Sequence, residues 1–188
     1  MTDVLDTLTE DVLAANRAGI AAFFAAHGEA ASTVVWSPDG SDVPEPELRF
    51  LLEFWHTHKG PSGLLPRAAI DPLALRPALG VIMLLDVLDG GADFRYRLYG
   101  TTIAERTGFD WTGRRLSEMA AKSFTGLFYA AVYRAVIRRV APVYTVSGSP
   151  RHVAATRWSR IILPTGGGDG GVTGFMVGNV PGAWRPPR

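Results

Sequence analysis

The chain contains no cysteine. That absence excludes disulfides, thiolate nucleophiles and cysteine-ligated metals together. It contains no glutamine and two asparagines, Asn16 and Asn179, which is thin provision for the polar edge of a flavin. Its four histidines are scattered. His56 and His58 stand two apart, so they do not share a helix face, and His27 and His152 are remote, so no spacing assembles a metal site. Long apolar runs are also missing. Ala18–Ala26 and Leu79–Leu85 are too short to span a bilayer. The formal net charge of +1 gives no argument for nucleic acid. The start, Met1 to Asp6, is acidic and lacks the basic region of a secretory signal. The expectation is a soluble cytoplasmic protein with no membrane or nucleic-acid partner. No Gly-x-Ser-x-Gly elbow is present. The glycine run Gly166–Gly171 lacks the Lys-Ser/Thr of a phosphate loop and reads as a hairpin turn.

What is present is an ordinary globular composition, 47% hydrophobic and 20% charged over 188 residues. A chain of this length can bury about 70% of its unfolded surface and needs no staples. Residues 3–26 read as one helix, with Leu5, Leu8, Val12, Ala15, Ile20, Phe23 and Phe24 on a stripe and Thr2 or Asp3 as its cap. Residues 28–47 read as a linker, in which Val34-Val35-Trp36 is either an edge strand or a loop with a packed tryptophan. A helix over 46–58 puts Leu48, Leu51, Leu52 and Trp55 on one side. Residues 60–80 are mostly irregular. The clearest helix is 123–140, where Phe124, Leu127, Phe128, Ala131, Val132, Ala135 and Val136 keep the i, i+3, i+4, i+7 pattern up to Pro142. Strands follow at 143–148, 155–163 and 172–180.

Residues 94–113 are the most informative. Phe94, Tyr96 and Leu98 alternate with Arg95, Arg97 and Tyr99 as in a strand. Gly100 ends it. Thr102 and Glu105 have capping-box spacing, and Gly108 can supply a left-handed helix terminus. Upstream, Val81 to Leu88 is nearly all apolar and suits a strand buried on both faces. Asp89-Gly90-Gly91 makes the turn between the two strands.

Trp55, Leu65-Pro66-Arg67, Ile70-Asp71-Pro72, Leu84-Leu85-Asp86-Val87, Phe94 to Thr101 and Thr112-Gly113-Arg114 follow one another in order. That series resembles the divergent PAS domain family common in alphaproteobacteria, over roughly residues 48–180. The resemblance implies an α+β fold: a five-stranded antiparallel sheet with helices on one face, preceded by an N-terminal helical extension. It places the first strand between the second and the fifth. The expected organisation is an N-terminal helix and linker over 1–47, a PAS-like domain over 48–181 and a tail over 182–188. The implied role is sensory and non-enzymatic, and no catalytic residue carries over. The lack of cysteine rules out the cysteine-bound chromophores of light-sensing PAS domains. The helix at 123–140 offers no axial histidine for haem. No cofactor is expected, and the purified protein should be colourless.

A PAS hollow lies between sheet and helices. The elements that bound it supply Tyr96, Phe109, Trp111, Phe128, Tyr133 and Trp158 as candidate ligand-binding residues, with Tyr144 and Met176 also in those elements. Each could instead fill the core. Arg95 and Arg97 share a strand face, and Arg114 and Arg115 follow the loop. A guanidinium turned into the hollow would suit a carboxylate or phosphate, but a solvated or interface face is the favoured reading. The N-terminal stripe must bury itself against something, which motivates a homodimer through that helix. A small molecule and a signalling partner protein complete the expected partners. Two rival readings are a small cone-shaped enzyme of the NTF2-like kind and an interaction module with a filled core.

Overall fold

The computed structural model describes residues 2–121, 123–167 and 171–186. Period-2 alternation in the strands and period-3.6 stripes on the helices sort the apolar residues into two layers, one on each face of a single sheet. The N-terminal segment forms two helices, α1 (Thr2–Leu13) and α2 (Arg17–Ala25), rather than one. The break falls at Ala15, whose φ is +49°, and at Asn16, whose side-chain oxygen accepts from Gly19 N–H at 3.3 Å and caps α2. The cap expected at Thr2 or Asp3 lies outside the described side chains.

Strand β1 (Thr33–Trp36) is the edge strand that the sequence left open, paired antiparallel with β4 (Val143–Gly148). Helix α3 (Pro46–His58) follows, then short 3-10 turns at Arg67–Ala69 and Arg76–Val81. Strands β2 (Ile82–Leu88) and β3 (Asp93–Tyr99) form the hairpin. Its connection needs three successive left-handed residues, Asp89, Gly90 and Gly91, with φ of +48°, +66° and +99°. This explains the paired glycines. Helix α4 (Thr101–Thr107) starts directly after Gly100 and ends on left-handed Gly108 as expected. Its entry has no side-chain cap, so the Thr102–Glu105 box does not form, because Thr102 already lies inside the helix. A carboxylate cap occurs instead at α5 (Leu116–Ala120), where Glu118 accepts from the Arg115 N–H at 3.0 Å. Helix α6 (Phe124–Arg139) is capped by Ser123, and β5 (Arg157–Gly166) and β6 (Val172–Pro181) complete the sheet.

Among the described residues the sheet has six strands in the order β1-β4-β5-β6-β2-β3, antiparallel throughout. The first strand of the expected five, β2, lies between β3 and β6 as anticipated. The additions are the edge strand β1 and a helix on the second face. One face packs Met83, Leu85, Phe94, Tyr96, Ile162 and Phe175 against α6 and the N-terminal helices. The other packs Ile82, Tyr144, Ile161, Leu163 and Met176 against Leu48, Leu51, Leu52 and Trp55 of α3. The Trp55 indole donates to the Pro164 carbonyl at 3.1 Å, which holds α3 over β5.

The N-terminal stripe does not wait for a second chain. Leu8, Val12, Ile20 and Phe24 are buried in the same core as α6, and Phe24 meets Phe128 with ring centroids 5.0 Å apart. Arg139 donates to the Leu13 carbonyl at 3.1 Å, and Trp36 donates to the Val12 carbonyl at 2.9 Å. Exposed pairs Asp6–Arg134 and Glu10–Arg138 line the same contact. Exposed pairs of this kind contribute about 0–1 kcal/mol each, so apolar burial, not charge, holds α1 on α6. The motive for a dimer through this helix is therefore removed.

Candidate functional site

A hollow of about 280 Å³ opens between the sheet and the helical segment α4–α6. Its floor is the inward face of four strands: Met83 on β2, Tyr96 on β3, Trp158 and Arg160 on β5, and Asn179 on β6. Its roof is the loop after α4, with Phe109 and Trp111, together with Met119 of α5 and Tyr129 of α6. The segment 150–153 closes one side, and His152 sits there at the rim, exposed. Aromatic edges frame the cavity. Phe109 and Trp111 stand 5.2 Å apart near a T-shape, Tyr96 meets Trp111 at 6.4 Å, and Tyr96 meets Tyr99 at 5.5 Å.

Four of the six candidate residues, Tyr96, Phe109, Trp111 and Trp158, are thus brought to one hollow. The other two are not. Phe128 is fully buried behind the roof against Phe24. Tyr133 stacks on Phe175 at 5.0 Å and meets Phe94 at 5.2 Å. Both face inward from α6, but toward side chains rather than space. Tyr144 and Met176 lie on the opposite sheet face, under α3. The Tyr144 hydroxyl donates to Glu45 at 2.9 Å.

The arginines singled out from sequence also lie elsewhere. Arg95 and Arg97 project from the outer face of β3, where with Arg67 they converge on the Asp86 carboxylate. Arg95 is at 3.0 Å and Arg97 at 3.8 Å. Arg114 pairs with Glu118 and Arg115 with Asp93. The arginine that does enter the hollow is Arg160. It is 9% exposed, donates from Nε to Asn179 Oδ1 at 3.0 Å, and lies 3.5 Å over the Tyr129 ring. Strand parity was the available signal: an inward Ile162 forces Arg160 and Trp158 inward as well.

Polar groups on the floor are mutually arranged. Trp158 Nε1 donates to Ser149 Oγ at 3.1 Å. Tyr129 and Ser147 share a hydrogen bond at 3.2 Å, and Ser147 reaches Ser32 at 2.7 Å. Burial pushes the Tyr96 hydroxyl well above its ordinary pKa, with Tyr133 adding to the effect. Burial likewise pushes Tyr133 up to about 12, against the pull of Arg160. These hydroxyls remain protonated at neutral pH. Among the described residues, no group of three or more His, Asp or Glu is placed to hold a metal. None of the described helices is long and apolar enough to cross a membrane.

A central hairpin strand, short helices leading into a long helix, and a hollow enclosed between them and the sheet define a PAS-type sensory domain. The chain belongs to the PAS domain family, whose family model matches residues 43–176. No curated protein and no solved structure matches the chain. Domains of this family are generally sensory or regulatory modules rather than enzymes, and they often mediate dimerisation or partner contacts. The rival NTF2-like fold is thereby set aside.

Proposed function

We propose that the protein is a non-enzymatic, cytoplasmic sensory domain whose hollow binds a small molecule and passes occupancy to the N-terminal helices. The observation that supports it most is the 280 Å³ hollow lined by Tyr96, Phe109, Trp111 and Trp158. Such a mostly apolar cavity with a few convergent polar groups is what ligand sites look like. Tyr129 lines the hollow from α6, and α1 rests on the outer side of the same helix. A ligand that shifts α6 therefore changes how α1 and α2 sit, and biases a pre-existing equilibrium between docked and released helices. The output goes to a second copy or a partner protein. A homodimer belongs to this proposal, through a surface other than the covered stripe. The bound molecule is not a cofactor but the signal itself.

Native mass spectrometry of the purified protein tests this reading. The expected spectrum carries a dimer and a stoichiometric small-molecule adduct, or acquires one on addition of indole or indole-3-carboxylate. Trp111→Ala should reduce the adduct while costing under about 1 kcal/mol of stability, because Trp111 is only half-buried. A folded protein that takes up none of these molecules would contradict the proposal.

A further inference from the structure

Arg160 is a buried cation without an anion. The other cations placed near acidic groups are paired: Arg67, Arg95 and Arg97 with Asp86, Arg115 with Asp93, Arg157 with Glu45. Among the described residues no Asp or Glu pairs with Arg160. Its protein contacts are the Nε bond to Asn179 and the face of Tyr129. Beyond Nε, its fork comes close to the Tyr133 hydroxyl, and a planar guanidinium offers five N–H donors, more than Asn179 and Tyr133 can take up. Tyr133 Oη is buried beside that guanidinium, and Arg160 is the polar neighbour that acts on it. Thr145 Oγ1, on the residue opposite Arg160 in the β4–β5 register, is buried without a hydrogen-bond partner among the described residues. Burial works against the Arg160 charge.

A buried charge is costly unless paired. The floor of the hollow therefore carries a cation with no carboxylate to meet it, which calls for an anion. The walls around it are flat rings. A planar carboxylate matches a guanidinium fork in a bidentate contact, and an aromatic body matches Tyr96, Trp111 and Trp158 by edge and offset contacts. The 280 Å³ volume stands near the lower end for small-molecule sites and admits a one- or two-ring compound.

We propose that the hollow recognises a small aromatic carboxylate, with the carboxylate on Arg160 and the ring between Tyr96, Trp111 and Trp158. This rests on the small-molecule reading above and names its ligand class. Asn179 holds the guanidinium in place through Nε and leaves its fork facing the ligand.

Calorimetric titration of the full chain with indole-3-carboxylate, its neutral isostere indole-3-carboxamide, and inorganic phosphate tests the assignment. The carboxylate should bind at least about tenfold more tightly than the amide, the loss expected when a charge-assisted hydrogen bond is removed. Arg160→Met should remove that preference. Asn179→Asp gives Arg160 an internal counterion. It should weaken carboxylate binding by at least about tenfold while keeping or raising the unfolding midpoint, which guards against a folding defect. Equal binding of amide and carboxylate, or carboxylate binding untouched by Asn179→Asp, would overturn the carboxylate assignment but leave the small-molecule reading standing. Phosphate binding as tight as the carboxylate would replace it with a general anion site. Failure of all three probes to bind the folded wild-type protein would overturn both.

Discussion

Phe128→Ala is expected to cost about 3–5 kcal/mol of stability, the usual range for removing a fully buried phenylalanine. The ring is completely inaccessible and packs edge-to-face with Phe24 and Tyr129 at 5.0 and 5.2 Å. It ties α2, α6 and the core together. In a chain of this size each kcal/mol shifts the melting temperature by about 2–4 °C, so a loss near 10 °C follows. Phe109→Ala should behave oppositely. That ring is 48% exposed at the mouth of the hollow, so stability should fall by less than about 1 kcal/mol while ligand uptake weakens. Urea unfolding of both variants separates a residue that fills the core from one that lines the site. Equal losses would show that the roof loop is structural.

Gly126→Ala is expected to destabilise the protein even though it improves helix propensity. An exposed Gly-to-Ala change inside a helix gains about 1 kcal/mol. At Gly126 the added Cβ would lie 2.6 Å from Ala120 N and 2.8 Å from Ala120 Cα. Those are backbone atoms of α5, so the helix itself must move. Overpacking of this kind costs about 1–3 kcal/mol, which outweighs the propensity gain. Because Met119 of α5 roofs the hollow, the same change should alter ligand affinity. A stabilised variant with unchanged binding would show that α5 is not rigidly seated on α6.

The elements with strong local pattern were legible. The stripe from Phe124 to Val136 yields α6, the Asp89-Gly90-Gly91 turn yields the hairpin, and Gly108 ends α4. The position of β2 between β3 and β6 followed from its near-continuous apolar run and the family resemblance. The α1–α2 break was signalled by Asn16 and Gly19 but hidden by an apolar stripe that continues across it. Strand β1 depends on pairing with β4, more than a hundred residues away, and a four-residue segment cannot announce such a partner.

The site was half legible for a reason of the same kind. A helix stripe tells which residues face inward. It does not tell whether a side chain or a void stands opposite, so Phe128 and Tyr133 stand as candidates and Tyr129 does not, although Tyr129 alone of the three reaches the hollow. Strand register decides which arginines enter. A one-residue slip exchanges the two faces, and Arg95 and Arg97 turned out to serve Asp86 while Arg160 turned inward.

The four methionines make the most direct test. Met83 and Met119 line the hollow from floor and roof, whereas Met176 is buried under α3 on the other sheet face. A methyl-detected NMR titration of methionine-labelled protein with indole-3-carboxylate should shift the Met83 and Met119 signals and leave Met176 in place. Shifts confined to Met176, or no shift at any of the three, would contradict a ligand-binding hollow between the sheet and α4–α6.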